Sequence, residues 1–282
     1  MQKPEIMLVL AVALVAPVAA TPAPGVGDAV QITTDREMEE HGNRADSPQG
    51  ASTDRDSYVE RVMAVRPDGE VLEYDLPRNA TKDDRASNWQ FPFEVSKAHD
   101  GTVRLLNEPE LVVRGDHWLK AAGISRTVCG KLIFTWNAFR VDCDPQSIIR
   151  WLARVALPGG LQAGAPFNDA DARAPASLRQ VSPGKLVATL EIDPAIIRRQ
   201  RAQADVGVAE LTQKVLTLDA ALKAHEAETV TGTITVTFDL DAAGRTRQRT
   251  RVVTVQVSWP NGRVDTQVVT STLTHTPLSS TI

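Results

Sequence analysis

Residues 230–240 read VTGTITVTFDL, and this stretch decides the fold of the 282-residue chain. Every even position in it is apolar or glycine, and every odd position is threonine or aspartate. Because successive side chains of a β-strand point to opposite faces, a period of two predicts a strand with one face in a core and the other in water. Residues 230–240 therefore predict a long, half-buried strand.

Two further strands follow this one along the chain. The sequence DAAG at 241–244 is typical of a turn, and the alternation resumes in RVVTVQVSW at 251–259. A second turn signal, PNG at 260–262, precedes a third apolar stretch at 264–273. Such spacing predicts a three-stranded antiparallel meander.

Upstream of the meander, Asp-Pro pairs mark the starts of two helices. Residues 185–192 read as a strand, and Asp193-Pro194 then places a capping side chain before a proline in the first helical turn. Asp144-Pro145 repeats this pattern. The apolar residues that follow the second pair recur at helical spacing, which predicts one buried face: Ile148, Ile149, Leu152 and Val155. Asp219 is the predicted cap of a further helix over residues 220–228.

The region from residue 58 to residue 123 reads as short strands and one short helix. Residues 58–65 and 70–74 predict a hairpin with its turn at PDG, 67–69. Residues 89–95 predict an edge strand because they contain Pro92, and residues 102–106 predict another strand. Asp116 and Gly123 are the predicted ends of the helix. The elements together indicate an α+β fold built on a long antiparallel sheet.

The first twenty residues have the layout of a secretory signal peptide. Lys3 supplies the positive end, residues 6–15 are apolar, and VAA at 18–20 predicts cleavage between Ala20 and Thr21. The apolar run is too short to span a bilayer, and no cysteine near residue 20 offers a lipid-attachment point. We therefore expect a soluble exported protein, periplasmic or secreted.

Composition then divides the rest of the chain. Residues 21–57 contain few large apolar residues, so we expect a flexible leader, with a short edge strand at 29–33 as the alternative. Residues 58–276 are predicted to form a single domain, with a possible subdivision in the loop-rich stretch 157–184, and residues 277–282 a tail.

The net charge of −4 is spread along the chain, which argues against a nucleic-acid partner. No later apolar run is long enough for a membrane span.

Cys129 and Cys143 are the only cysteines, and they flank a predicted hairpin with its turn at residues 135–137. In an oxidising compartment such a pair predicts a disulfide. A redox-active pair or a metal site is the alternative. Neither has support, because the two-residue spacing of redox motifs and further soft ligands are both missing.

The chain shows no motif typical of catalysis, metal binding or cofactor binding. None of the five histidines has metalloprotease spacing, and neither a serine elbow nor a phosphate-binding glycine loop occurs. The predicted role of these residues is structural: His41, His99, His117, His225 and His275. Carboxylate pairs at 142/144, 169/171 and 239/241 are interpreted as caps, turns and solvated loops, with acid–base work on a glycoside as the alternative. The aromatic residues between 89 and 139 indicate an ordinary core, with an apolar ligand pocket as the alternative.

Residues 185–275 resemble the second half of the envelope half-barrel proteins that include the periplasmic lipoprotein carrier and the mycobacterial lipid-binding lipoproteins. The shared order is a strand, a helix opened by Asp-Pro, a short helix, and then TGTITVTFDLD at 231–241 followed by two long strands. The resemblance implies a curved antiparallel sheet that wraps helices and encloses a cavity for acyl chains. It carries over no functional residue. The stretch from Cys129 to Cys143 has no counterpart in that family, and Arg251 with the threonines makes this sheet more polar.

The functional expectation is an exported protein of non-catalytic type that binds a hydrophobic small molecule, a lipid or an envelope protein. The alternatives are an exported hydrolase whose site forms only in three dimensions, and a secreted scaffold without a ligand. An apolar cavity between sheet and helices would favour the first. An acid and a histidine converging in a polar cleft would favour the hydrolase.

Overall fold

A computed structural model describes residues 25–134 and 138–279 of the chain. The predicted signal peptide with its cleavage site, Ala20 and Thr21, and the hairpin turn at 135–137 lie outside the described residues.

The described residues form fourteen strands and five α-helices. The strands are β1 (Ala29–Gly42), β2 (Gly50–Arg66), β3 (Gly69–Asp75), β4 (Phe93–Ala98), β5 (Val103–Leu105), β6 (Leu132–Phe134), β7 (Ala138–Arg140), β8 (Pro166–Phe167), β9 (Ala176–Ser177), β10 (Arg179–Ser182), β11 (Lys185–Glu191), β12 (Thr229–Leu240), β13 (Thr246–Ser258) and β14 (Val264–Leu278). The helices are α1 (Lys82–Ser87), α2 (Glu108–Ala121), α3 (Ser147–Val155), α4 (Pro194–Leu211) and α5 (Leu218–Ala224). A short 3₁₀ helix covers Arg126–Val128.

Ten strands form one curved antiparallel sheet in the order β10-β11-β12-β13-β14-β1-β2-β3-β4-β5. Strands β10 and β5 do not pair with each other, so the described sheet is not closed into a barrel. The predicted α+β class with a long antiparallel sheet and a few short helices is confirmed. The meander β12–β13–β14 and the hairpin β2–β3 are present as predicted.

The prediction of a flexible leader is wrong for residues 29–57. Strand β1 lies in the middle of the sheet, where it pairs with β14 over its whole length and with β2 on the other side. The edge-strand alternative for residues 29–33 was therefore too short and wrongly placed. The reason is that ladder hydrogen bonds use the backbone alone, so a charged strand is held by its neighbours although few of its side chains are buried. At the other end of the chain, β14 continues through residues 277–278 of the predicted tail.

Helix boundaries also differ from the sequence prediction in two places. Asp116 is not a cap, because α2 begins at Glu108 with Pro109 in its first turn. Asp219 lies inside the first turn of α5, whose cap is Thr217. Asp193 does cap α4, where its side chain accepts a hydrogen bond from the backbone N–H of Ala195 at 2.8 Å. Pro109 and Thr217 are ordinary signals for the start of a helix, but the spacing of apolar residues does not depend on them.

Strand register places the apolar side chains on one face of the sheet, called here the inner face. Two core clusters cover that face at opposite ends of the sheet. In the first, α4 and residues 161–178 pack on β11, β12 and β13 around Phe238 and Ile234. In the second, α2 and α3 pack on β1 to β4 around Leu72 and Phe93. The opposite, outer face carries the threonines of the alternating stretch, as the period of two predicted.

Candidate functional site

A cavity of about 700 Å³ lies between the inner face and α3, and is called here the α3 cavity. Its floor comes from six strands, its roof from α3 and residues 156–160, and its remaining wall from the turn at 243–246. Most of its lining is apolar: Ile32, Leu72, Val95, Val103, Ile149, Leu152, Val155 and Leu157. Small-molecule sites in proteins occupy roughly 300–1,000 Å³ and are mostly apolar, so the size and the lining both fit a ligand.

Helix α3 forms the roof because its apolar residues recur at helical spacing. Ile149, Leu152 and Val155 face the cavity, while Ile148 is buried in the second core cluster. Trp151 contacts four aromatic rings beside the cavity, all in edge-to-face geometry and with ring centroids 4.8–6.0 Å apart. Such pairs contribute about 0.5–1.5 kcal/mol each beyond area burial. The rings hold α3 at a fixed height above the sheet.

Three side chains of the sheet bind backbone carbonyls at the end of the roof. Arg249 donates to the carbonyl of Arg154 at 3.0 Å, and Nε2 of His275 donates to the carbonyl of Val155 at 3.0 Å. Thr246 donates to the carbonyl of Pro158 at 2.6 Å. The last carbonyls of a helix lack partners within the helix. The sheet therefore supplies these partners and fixes the end of α3 to the floor.

The α3 cavity contains few polar side chains. The Tyr74 hydroxyl donates to Oε2 of Glu60 at 2.6 Å, and burial together with that carboxylate raises the pKa of Tyr74. Burial lowers the pKa of His275 below its usual 6.5, so its imidazole is neutral at pH 7. Lys97 lines the cavity with an exposed side chain. Glu60, His275, Lys97 and Arg245 are the groups that can orient a ligand.

Arg251 joins two carboxylates beside the first core cluster. Its guanidinium donates to both oxygens of Asp169 at 2.8 Å and to Asp171 at 2.7 Å. Burial opposes ionisation of Asp169, but the hydrogen bonds from Arg251 and from the Asp171 backbone outweigh it and hold the pKa of Asp169 below its usual range. The Asp169 side chain is only 9% exposed, so its interpretation as part of a solvated loop is wrong. The three groups fix residues 161–178 to β13.

An acid and a histidine do converge at a second place, on α4 and α5. Nδ1 of His225 lies 2.8 Å from Glu228, and Nε2 lies 2.9 Å from Asp205. Arg201 also binds Glu228, at 3.1 Å. Both ring nitrogens thus lie against carboxylates, so neither is left free to contact a substrate in this arrangement. The contacts fix α5 to α4 and fit the predicted structural role of His225.

A disulfide joins Cys129 and Cys143, whose Cα atoms lie 5.6 Å apart. It closes the base of the β6–β7 hairpin, in the chain segment between α2 and α3. Nε2 of Gln146 also donates to Glu108 of α2 at 2.7 Å. The start of the cavity roof is therefore tied to α2 by a hydrogen bond and to the segment that follows α2 by a covalent link.

Sequence reasoning found part of this site. The Asp-Pro start and the apolar spacing of α3 predicted the helix that forms the roof, and Phe91 and Phe93 lie in the core beside the cavity. The spacing gave no sign of His275 or Glu60 as cavity residues, because each lies on a strand far along the chain from α3. No cluster of metal-binding side chains occurs among the residues that the structure describes. Within the same residues, no helix is long and apolar enough to cross a membrane.

No family model matches the chain, and no curated protein matches it. Among solved structures, one described as lipid–protein interactions in lipovitellin aligns with 92% of this chain at 9% identity and a TM-score of 0.37. This chain spans about a quarter of the lipovitellin chain, since 26% of that chain is covered. A conserved protein of unknown function with a hot dog fold from Alicyclobacillus acidocaldarius aligns at 10% identity and a TM-score of 0.12, covering 93% of this chain and 83% of that one. At these TM-scores neither likeness identifies a family or a function.

Proposed function

We propose that this protein binds a hydrophobic small molecule in the α3 cavity and performs no chemistry on it. The observation that carries the proposal is an apolar space of about 700 Å³ under a helix that is fixed at both ends. Ligand-binding sites in proteins are concave and mostly apolar with a few polar groups, and the α3 cavity has each of these features. A large apolar cavity under a well-anchored roof is therefore best explained by an occupant.

The second part of the proposal is that the protein is exported from the cytoplasm. The layout of residues 1–20 and the disulfide Cys129–Cys143 both support an oxidising destination outside the cytoplasm. Amino-terminal sequencing of the chain recovered from the medium or periplasm of an expressing bacterium tests this directly. The expected first residue is Thr21, and retention of residues 1–20 on a cytoplasmic protein would contradict export.

Ligand binding is tested with a neutral fluorescent probe, N-phenyl-1-naphthylamine, titrated into the mature protein. We expect saturable binding of one probe per chain. Val103→Trp fills the cavity from β5 and should weaken binding at least tenfold. Val252→Trp is the matched control, because residue 252 lies on the outer face of the sheet and is also half-buried. Equal binding by both variants would refute the α3 cavity as the site.

Native mass spectrometry of the protein purified from its own host is the second test. A co-purifying small molecule that Val103→Trp fails to retain would support the proposal. An unoccupied protein that also binds no probe would favour the scaffold alternative.

A further inference from the structure

Two side chains with unused hydrogen-bond acceptors line the α3 cavity, His275 and Glu60. The carbonyl of Val155 can only accept, so Nε2 of His275 must carry the proton of their 3.0 Å hydrogen bond. Because burial keeps this imidazole neutral, Nδ1 bears a lone pair. Nδ1 has no hydrogen-bond partner in the described part of the chain. It is not enclosed by protein atoms either, since the buried unpartnered atoms belong to other residues.

Glu60 supplies the second acceptor. Its Oε2 receives the hydroxyl of Tyr74 at 2.6 Å, while its other oxygen receives no donor from the described residues. A carboxylate is acceptor-only when ionised and has room for about four hydrogen bonds. Glu60 therefore retains unused acceptor capacity toward the cavity that it lines.

Lys97 and Arg245 also line the cavity as cations, but neither changes this balance. The Arg245 side chain is 52% exposed and is paired with Asp241 at 2.9 Å. Lys97 stands directly opposite Glu70 of β3 in the strand register, so a carboxylate-bearing neighbour already faces it. Its side chain is exposed, and an exposed ammonium compensates a charge inside the cavity only weakly. An anionic ligand head would instead lie in the same cavity as Glu60, with the cost of burying like charges together.

The volume limits the ligand to a single chain. A methylene group occupies somewhat less than a water molecule, whose share of liquid volume is about 30 Å³. A cavity of about 700 Å³ therefore holds roughly twenty non-hydrogen atoms. A lipid with two long chains is too large to lie wholly inside it.

We infer that the α3 cavity selects a single-chain amphiphile whose head is an uncharged hydrogen-bond donor, a long-chain alcohol in the simplest case, over the fatty acid of equal length. This inference rests on the proposed function. The alcohol donates its O–H to Nδ1 of His275 or to Glu60, and its chain lies along the apolar floor.

The test compares three ligands with the same twelve-carbon chain at pH 8. Dodecan-1-ol donates a hydrogen bond, 1-methoxydodecane cannot donate one, and dodecanoate is charged. Displacement of N-phenyl-1-naphthylamine should show the alcohol binding about tenfold tighter than the ether, as one hydrogen bond to a buried acceptor allows. The alcohol should also bind at least tenfold tighter than dodecanoate. Equal or tighter binding of dodecanoate overturns the inference, whereas no binding of any of the three refutes the proposed function itself.

Variants of His275 distinguish two roles of this residue, which are binding of the ligand's head and support of the cavity roof. Leucine at this position should weaken binding of the alcohol about tenfold more than binding of the ether. Glutamine should restore alcohol binding, because its amide can donate to Val155 and still present an acceptor. An equal loss for alcohol and ether in His275→Leu would mean that the residue only holds α3, and would overturn its role in recognition.

The pH profile gives a readout that a purely structural role would not move. Glu60 of β2, Lys97 of β4, Arg247 of β13 and the Val155 carbonyl of α3 all face His275, and burial dominates in lowering its pKa. Protonation of Nδ1 removes the acceptor, so alcohol affinity should be constant above pH 6.5 and fall at lower pH. His275→Gln should show a flat profile, and a flat profile in the native chain would contradict the inference.

Discussion

The size of the α3 cavity predicts a limit on ligand length. In a series of straight-chain alcohols from octan-1-ol upward, each added methylene that enters the cavity should contribute about 0.8 kcal/mol. This corresponds to about a fourfold decrease in Kd per carbon. Because about 700 Å³ holds roughly twenty non-hydrogen atoms, the affinity should stop rising near that chain length.

Competition against the fluorescent probe measures the series, with each alcohol kept below its solubility limit. Val103→Trp adds seven non-hydrogen atoms to the cavity wall, so its affinities should stop rising at a chain several carbons shorter. Val252→Trp, on the outer face, should reproduce the native limit. An affinity that rises without a limit, or a limit that is the same in Val103→Trp, would refute the reasoning that the cavity encloses the chain.

Three further predictions concern the stability of the fold. Arg251→Met leaves the 9%-exposed Asp169 unpaired and should lower the free energy of unfolding by about 3 kcal/mol in urea titrations at pH 7. Since the pKa of Asp169 is lowered in the folded state, this difference should shrink as pH falls below 3.8, and a difference independent of pH would contradict it. Replacing Cys129 and Cys143 by serine should cost about 3 kcal/mol, seen as a lower Tm with an unchanged far-ultraviolet spectrum, and an unchanged Tm would count against the disulfide. Ile32→Ala should cost about 2–5 kcal/mol because the side chain is 1% exposed at the sheet centre, whereas a flexible leader would show no effect.

The strands and helices with a strong local period were predictable from sequence. The alternation in residues 230–240 specified both the strand and its two faces, and Val236 and Phe238 are fully buried as their positions required. Asp193 and Pro194 marked the start of α4 because a capping side chain and a missing N–H act within one turn. These signals depend on neighbours close in the chain, so they can be recognised without knowledge of the tertiary structure.

Strand β1 and the candidate site were not predictable in this way. Residues 35–41 of β1, DREMEEH, have the composition of a flexible segment, yet pairing with β14 and β2 holds them at the centre of the sheet. The pairing energy comes from backbone groups and, on the β14 side, from partners more than two hundred residues away, which no local pattern encodes. The same is true of the hydrogen bond from His275 to Val155, which joins residues 120 positions apart.

The sequence by itself determined an α+β chain with a long antiparallel meander, its inner and outer faces, and the cysteine pair. Only the tertiary structure decided that β1 and β14 pair in one ten-stranded sheet and that α3 stands above it with a cavity beneath. The physical reason is that periodicity reports which face of an element is apolar. The empty volume between two such faces depends on how distant elements pack.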